Sequence, residues 1–200
     1  MNNLPNFLTF VRIAIIPFLV FVFYLPLPWA HTAASFIFAL AALTDWLDGY
    51  LARSLKQSTK LGAFLDPVAD KLMVSVALVL IVGEPQFQFV SLPSAVYSVP
   101  IPIITIPVAI IVSREIVVSS LREWMAEMGK RATVAVSQLG KIKTSAQMIA
   151  VVILLYCTPR SHAFIAITGY MLLYLAAILT IWSMSIYLKV AWLELKDEEA

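Results

Sequence analysis

The sequence predicts an all-α integral membrane protein, a single bundle of six transmembrane helices with both termini on the cytoplasmic side. Three observations predict it. Of 200 residues, 61% are hydrophobic and only 13% charged, about half the charge fraction of an ordinary soluble domain, and the mean hydropathy is +0.90. Six largely apolar runs approach or exceed the roughly 20 residues that a membrane-spanning helix needs. The basic residues gather at alternate connections between those runs. The same composition excludes several classes. One cysteine, Cys157, rules out an internal disulfide and a cysteine-built zinc site, and His31 and His162 alone are too few for a histidine-rich metal centre. A nucleic-acid binder is not expected, because the lysines and arginines lie beside apolar spans rather than on a soluble face. No basic segment precedes the first run, which is therefore expected to span rather than to be cleaved as a signal. Residues 1–200 are expected to form one domain.

The first span is expected from about Asn6 to Tyr24, where "PLP" ends it, and the second from about His31 to Leu55. The third runs from about Gly62 to Val82, before "GEP". The fourth is expected from about Ser94 to Met128, but Pro100, Pro102 and Pro107 fall in its first half. Proline removes a backbone donor and clashes with the preceding turn, so this helix must start late, bend or break. The fifth runs from about Val136 to Tyr156, and the sixth from about Phe164 to Trp192, fraying into a solvated tail "LKDEEA".

Charge sets the orientation. Arg53, Lys56, Lys60 and Lys71 lie around the second connection, Arg114, Arg122, Lys130, Arg131, Lys141 and Lys143 around the fourth, and Lys189 and Lys196 near the end. The loops near Leu25, Gly83 and Pro159 hold one basic residue, Arg160. The positive-inside rule puts the basic side in the cytoplasm.

The segment "LTDWLDGYLARSLKQSTKLGAFLDPVADKLM", residues 43–73, holds four aspartates. On a helix, Asp45, Asp48, Gly49, Ala52 and Arg53 share one stripe, and Gly62, Asp66 and Asp70 share another on the next helix. The short polar link between them makes the helices antiparallel neighbours, so the stripes can face each other. Four carboxylates placed together repel and resist desolvation unless cations neutralise them. The cations near in sequence, Arg53 and Lys71, are too few. An all-oxygen ligand set points to a hard divalent ion, Mg²⁺ or Mn²⁺, with one ion or two. Gly49, Ala52 and Gly62 leave one side without bulk, where a planar base or a phosphate can approach the backbone. A proton relay, an ion pathway or a diphosphate-binding prenyltransferase also uses intramembrane aspartates. A solvated loop does not fit, because Trp46, Leu47, Phe64, Leu65 and Val68 interleave with the acids.

D-W-L-D-G-Y-L-A-R, eight residues, then G-A-F-L-D-P-V-A-D reproduces all eight positions of D-x2-D-G-x2-A-R-x8-G-x3-D-x3-D. The chain thereby resembles the CDP-alcohol phosphotransferases. "NLPNFLTFVRI", "SREIVVSSLREWMAEMGK" and "VAVSQLGKIKTSAQM" are similar to the bacterial branch that makes phosphatidylglycerophosphate; the last third is similar mainly in hydropathy. The resemblance implies a six-helix membrane enzyme, a homodimer in the bacterial inner membrane with its site facing the cytoplasm. It implies transfer of a phosphatidyl group from CDP-diacylglycerol to glycerol 3-phosphate, releasing CMP, within phosphatidylglycerol and cardiolipin synthesis. Asp45, Asp48 and Asp66 would hold the metal on the donor pyrophosphate, and Asp70 would ligate a second ion and act as general base. Asp48, Gly49, Ala52, Arg53 and Gly62 would border the CDP group, with Asn6 and Thr9 of the opening motif lining the pocket beside Arg12.

A phosphorylated acceptor needs a basic site of its own. Arg114 and Arg122 are eight residues apart on one helical face, and Lys143 opens the next span. Arginine forks match phosphate oxygens bidentately. Segments 114–122 and 141–143 are therefore the candidate acceptor site, while Lys130, Arg131 and Lys141 are read as surface charge or contacts to membrane lipids. Inositol phosphate, serine or phosphatidylglycerol are alternative acceptors, and a divalent-cation transporter is the alternative from another class.

Overall fold

The structure, a computed structural model, describes residues 4–55, 60–88, 103–128, 138–159 and 161–198; within these, the side chains of residues 4–8, 46–55, 60–64, 66, 86, 88, 138–139, 141, 190 and 193–198 are not described. The described residues are all-helical, with no strand. The helices are α1 Leu4–Phe23, α2 Ala30–Leu55, α3 Lys60–Gly83, a single turn α4 Pro85–Gln88, α5 Thr105–Glu127, α6 Gln138–Tyr156 and α7 Ala163–Glu198. Each of the six predicted runs is a long helix. The turn α4 was not expected.

Two boundaries differ from the sequence expectation. α5 starts at Thr105 rather than near Ser94. Pro107 thus falls in the first turn, where a backbone N–H has no intrahelical partner to lose; Pro100 and Pro102 lie outside the described residues. The C-terminal run does not fray after Trp192, because α7 continues to Glu198. Leucine, glutamate and lysine are strong helix formers, and the helix simply extends through them.

Among the described residues, one stretch, Ala163–Lys189 of α7, is by itself long and apolar enough to cross a membrane. Shorter apolar stretches are Thr9–Phe23, Ala30–Asp45 and Ile142–Tyr156. Among the described residues six long helices are present, but not six uniform apolar spans. The reason lies in the sequence: α2 loses its apolar character from Asp45 onward, and α6 gains it only after Lys141 and Lys143.

α6 and α7 form the most extensive helix pair, α1 packs on both α2 and α3, and α2 and α5 lean on α6 and α7 respectively. The core joins Leu19, Phe38, Leu78, Ile81, Ile111, Leu154 and Leu173, all fully buried. The outward faces are also apolar: Phe18, Phe21, Phe36, Val79, Ile116, Met171 and Ile178 are each at least half exposed. The α6–α7 contact is close because of Gly169, whose added Cβ would stand 2.8 Å from Leu154 Cδ2 and 2.9 Å from its Cγ. Leu154 is fully buried, so any shift of its side chain must displace its core neighbours. Gly169→Ala is therefore expected to destabilise the bundle by about 1–3 kcal/mol, the usual cost of overpacking, read as a lower thermal midpoint in detergent. An unchanged midpoint would show that the two helices can separate freely.

Candidate active site

The acidic half of the site is assembled on α1, α2 and α3. Asp45 and Asp70 meet, and a cation from a third helix pairs with both. Arg12 of α1, only 3% exposed, directs Nη1 to Asp45 Oδ1 at 2.7 Å and to Asp70 Oδ1 at 2.5 Å. α2 and α3 touch each other little and both rest on α1. The two carboxylates also interact directly with each other, so Asp45, Asp70 and the Arg12 guanidinium form one cluster where the two stripes meet. The sequence expectation counted only the cations near in the chain, Arg53 and Lys71, and the structure adds another. The cation comes from 33 residues upstream of Asp45, out of reach of any local spacing rule. Buried Thr9 lies one turn before Arg12 on α1.

Two carboxylate oxygens from separate helices converge on one cationic nitrogen. That is a hard, all-oxygen donor set of the kind that suits Mg²⁺ or Mn²⁺. Among the described residues no group of three or more His, Cys, Asp or Glu could hold a metal. Asp48, Gly49, Ala52 and Arg53 lie on α2, Gly62 and Asp66 on α3, and Asn6 on α1; the side chains of all seven are outside the described residues. Without Arg12, Asp45 and Asp70 would face each other uncompensated while still 34% and 39% exposed. Arg12→Ala is expected to cost about 1–3 kcal/mol, below the figure for a fully buried pair because of that exposure. The measurement is the thermal midpoint in divalent-free detergent buffer, and no change would count against the bridging role.

The basic half is built on α5, α6 and α7. Glu115 Oε1 accepts from Arg114 Nη1 and from Lys143 Nζ, both at 2.8 Å. Arg114 Nη2 donates to Ser183 Oγ at 2.9 Å, and Arg122 Nη2 to the Tyr187 hydroxyl at 2.8 Å. Arg114 and Lys143 are buried and Arg122 is exposed. Arg114 Nε, also buried, has no partner among the described residues, so the guanidinium keeps donor capacity for a ligand. Lys71, the residue after Asp70, reaches across to Ser119 Oγ on α5.

The two halves share one cavity of about 290 Å³. Asp45, Asp70 and Lys71 line one wall, and Arg114, Glu115, Arg122, Lys143 and Tyr187 line the others. All three predicted acceptor residues therefore come together, and they stand beside two of the four predicted aspartates. Sequence reading missed four contributors: Arg12 as bridge, Glu115 as the shared acceptor, and Ser183 and Tyr187 of α7. Arg12 and Glu115 carried a signal, a charged residue inside an apolar run. Ser183 and Tyr187 carried none, since a serine and a tyrosine on an apolar helix are ordinary.

One cavity of a helical bundle thus joins carboxylates to a basic cluster of the kind that suits phosphate groups. The chain belongs to the CDP-alcohol phosphatidyltransferase family, whose model matches residues 2–182. It is 50% identical over 195 residues, 98% of each chain, to the CDP-diacylglycerol–glycerol-3-phosphate 3-phosphatidyltransferase of Yersinia enterocolitica serotype O:8 / biotype 1B. It is 47% identical over 196 residues, again 98% of each chain, to the protein of the same name from Escherichia coli K12.

Proposed function

We infer that this protein transfers the phosphatidyl group of CDP-diacylglycerol to sn-glycerol 3-phosphate, giving phosphatidylglycerophosphate and CMP in phospholipid biosynthesis. The observation that carries the reading is the single cavity in which Asp45 and Asp70 face Arg114, Arg122 and Lys143. The near full-length relatives named for this reaction support it. A cation pathway is disfavoured by the same cavity, which sets four cationic side chains against three carboxylates.

The chemistry follows from the placement. The acceptor's phosphate is held by Arg114, Arg122 and Lys143, which directs its free hydroxyl toward the acidic wall. Asp70, at the junction of the two halves, takes the hydroxyl proton as the oxygen attacks the phosphorus that bears diacylglycerol. A new P–O bond forms, the pyrophosphate P–O bond breaks, and CMP leaves with the electron pair. Asp45, Asp48, Asp66 and Asp70 are the residues to hold Mg²⁺ or Mn²⁺, which when bound stabilises charge developing on the phosphoryl oxygens. Gly49, Ala52, Arg53, Gly62, Asn6 and Thr9 border the CDP group.

In the same proposal, α1, α2, α3, α5, α6 and α7 are six spans of a bacterial inner membrane, with both termini and the cavity facing the cytoplasm and the protein acting as a homodimer. The apolar outward faces support a lipid environment, since large side chains such as Phe18, Phe21, Phe36, Val79, Ile116, Met171 and Ile178 are each at least half exposed. The deciding experiment measures CMP release in detergent from CDP-diacylglycerol, offering glycerol 3-phosphate, inositol phosphate, serine or phosphatidylglycerol, with Mg²⁺, with Mn²⁺ and with a chelator. Metal-dependent release with glycerol 3-phosphate alone is expected. Release with another acceptor and none with glycerol 3-phosphate would overturn the assignment.

A further inference from the structure

Between Ala163 and Leu188, α7 carries no charged side chain, yet it supplies two buried polar residues to the basic wall, Tyr187 lining the cavity and Ser183 behind Arg114. Ser183 and Tyr187 are four residues apart and so lie one above the other on one helical face. Both are spent on the arginines assigned to the acceptor phosphate. Ser183 Oγ accepts from Arg114 Nη2, and the Tyr187 hydroxyl accepts from Arg122 Nη2. The Tyr187 ring serves both: the Arg114 guanidinium carbon lies 5.8 Å from its centroid and that of Arg122 5.1 Å, within the range where a ring face attracts a cation.

We propose that Tyr187, seconded by Ser183, is the positioning residue that sets affinity for the phosphomonoester of the acceptor alcohol, by holding Arg114 and Arg122 in their binding geometry before the acceptor arrives. The inference rests on the function proposed above. The need differs between the two arginines. Arg114 is buried and also tied to Glu115. Arg122 is exposed, and among the described residues its side-chain hydrogen bond and its ring contact are both with Tyr187. A long, exposed arginine loses rotamer freedom when it closes on a ligand. Tyr187 removes that freedom in advance, and its effect belongs to acceptor binding rather than to the chemical step.

The test is steady-state kinetics of CMP release in detergent, varying each substrate in turn. Tyr187→Phe keeps the ring under both guanidiniums and deletes the hydroxyl; Tyr187→Leu deletes both. The expected result is a rise in KM for glycerol 3-phosphate of about threefold for Phe and about tenfold or more for Leu, with KM for CDP-diacylglycerol and kcat within about twofold of wild type. Ser183→Ala should raise the same KM by a few fold, and it guards against a Leu variant that does not fold. In an Arg122→Ala background, Tyr187→Phe should add nothing, because its hydroxyl then has no arginine to hold. Equal rises in both KM values, a fall in kcat alone, or full additivity with Arg122→Ala would overturn the proposal. A wild-type protein that releases no CMP with glycerol 3-phosphate would instead sink the function on which it rests.

Discussion

Asp70→Asn is expected to lower kcat for CMP release by about 10²- to 10⁴-fold, the usual contribution of a positioned general base. Asparagine keeps the shape and a hydrogen-bond acceptor for Arg12 but cannot take the acceptor's proton. Asp45 remains to pair with Arg12 Nη1, so the α1–α2 contact survives and the variant should fold. Donor binding should fall less than turnover, because Asp45, Asp48 and Asp66 of the proposed donor site are unchanged. The comparison needs two readouts on the same preparation: turnover with saturating substrates, and retention of a CDP-diacylglycerol analogue. Wild-type turnover in the variant would remove Asp70 from the proton-transfer step.

Arg114→Ala is expected to raise KM for glycerol 3-phosphate by about 10- to 100-fold while changing KM for CDP-diacylglycerol by a few fold at most. The range corresponds to losing one or two charge-assisted hydrogen bonds to phosphate. Arg114 is the best buried cation on the basic wall apart from Lys143. Its removal also frees Glu115 to pair with Lys143 alone, which occupies the remaining buried cation and deepens the loss. Lysine should not rescue the position, since an ammonium cannot serve Glu115, Ser183 and a phosphate in one plane. Equal losses for the two substrates would mean that Arg114 supports the fold of the cavity rather than the acceptor.

Parts of this site were legible in the chain and parts were not. The aspartate stripes and the Arg114–Arg122 face follow from helical period alone, and the structure brings Asp45, Asp70, Arg114, Arg122 and Lys143 to one cavity. A disturbance at the start of α5 was legible too, because proline chemistry is local, but whether the helix would start late, bend or break was not. What stayed hidden were contacts over long sequence distance. Arg12 meets Asp70 across 58 residues, Arg114 meets Ser183 across 69, and Arg122 meets Tyr187 across 65. No period or propensity reports which helix face will land beside which.

From the sequence alone come the helical class, the order of the six long helices, the acidic and basic residue sets, and the family signature between Asp45 and Asp70. These depend on composition and on spacings of three, four and eight residues, and such spacings act within one helix. Tertiary structure alone decided that Arg12 bridges two of the acids, that Glu115 joins Arg114 to Lys143, and that α7 holds the arginines. Those outcomes depend on how α1 seats on α2 and α3, and on how α7 seats on α5 and α6. Packing of apolar faces sets that geometry, and the polar residues are carried into register by it.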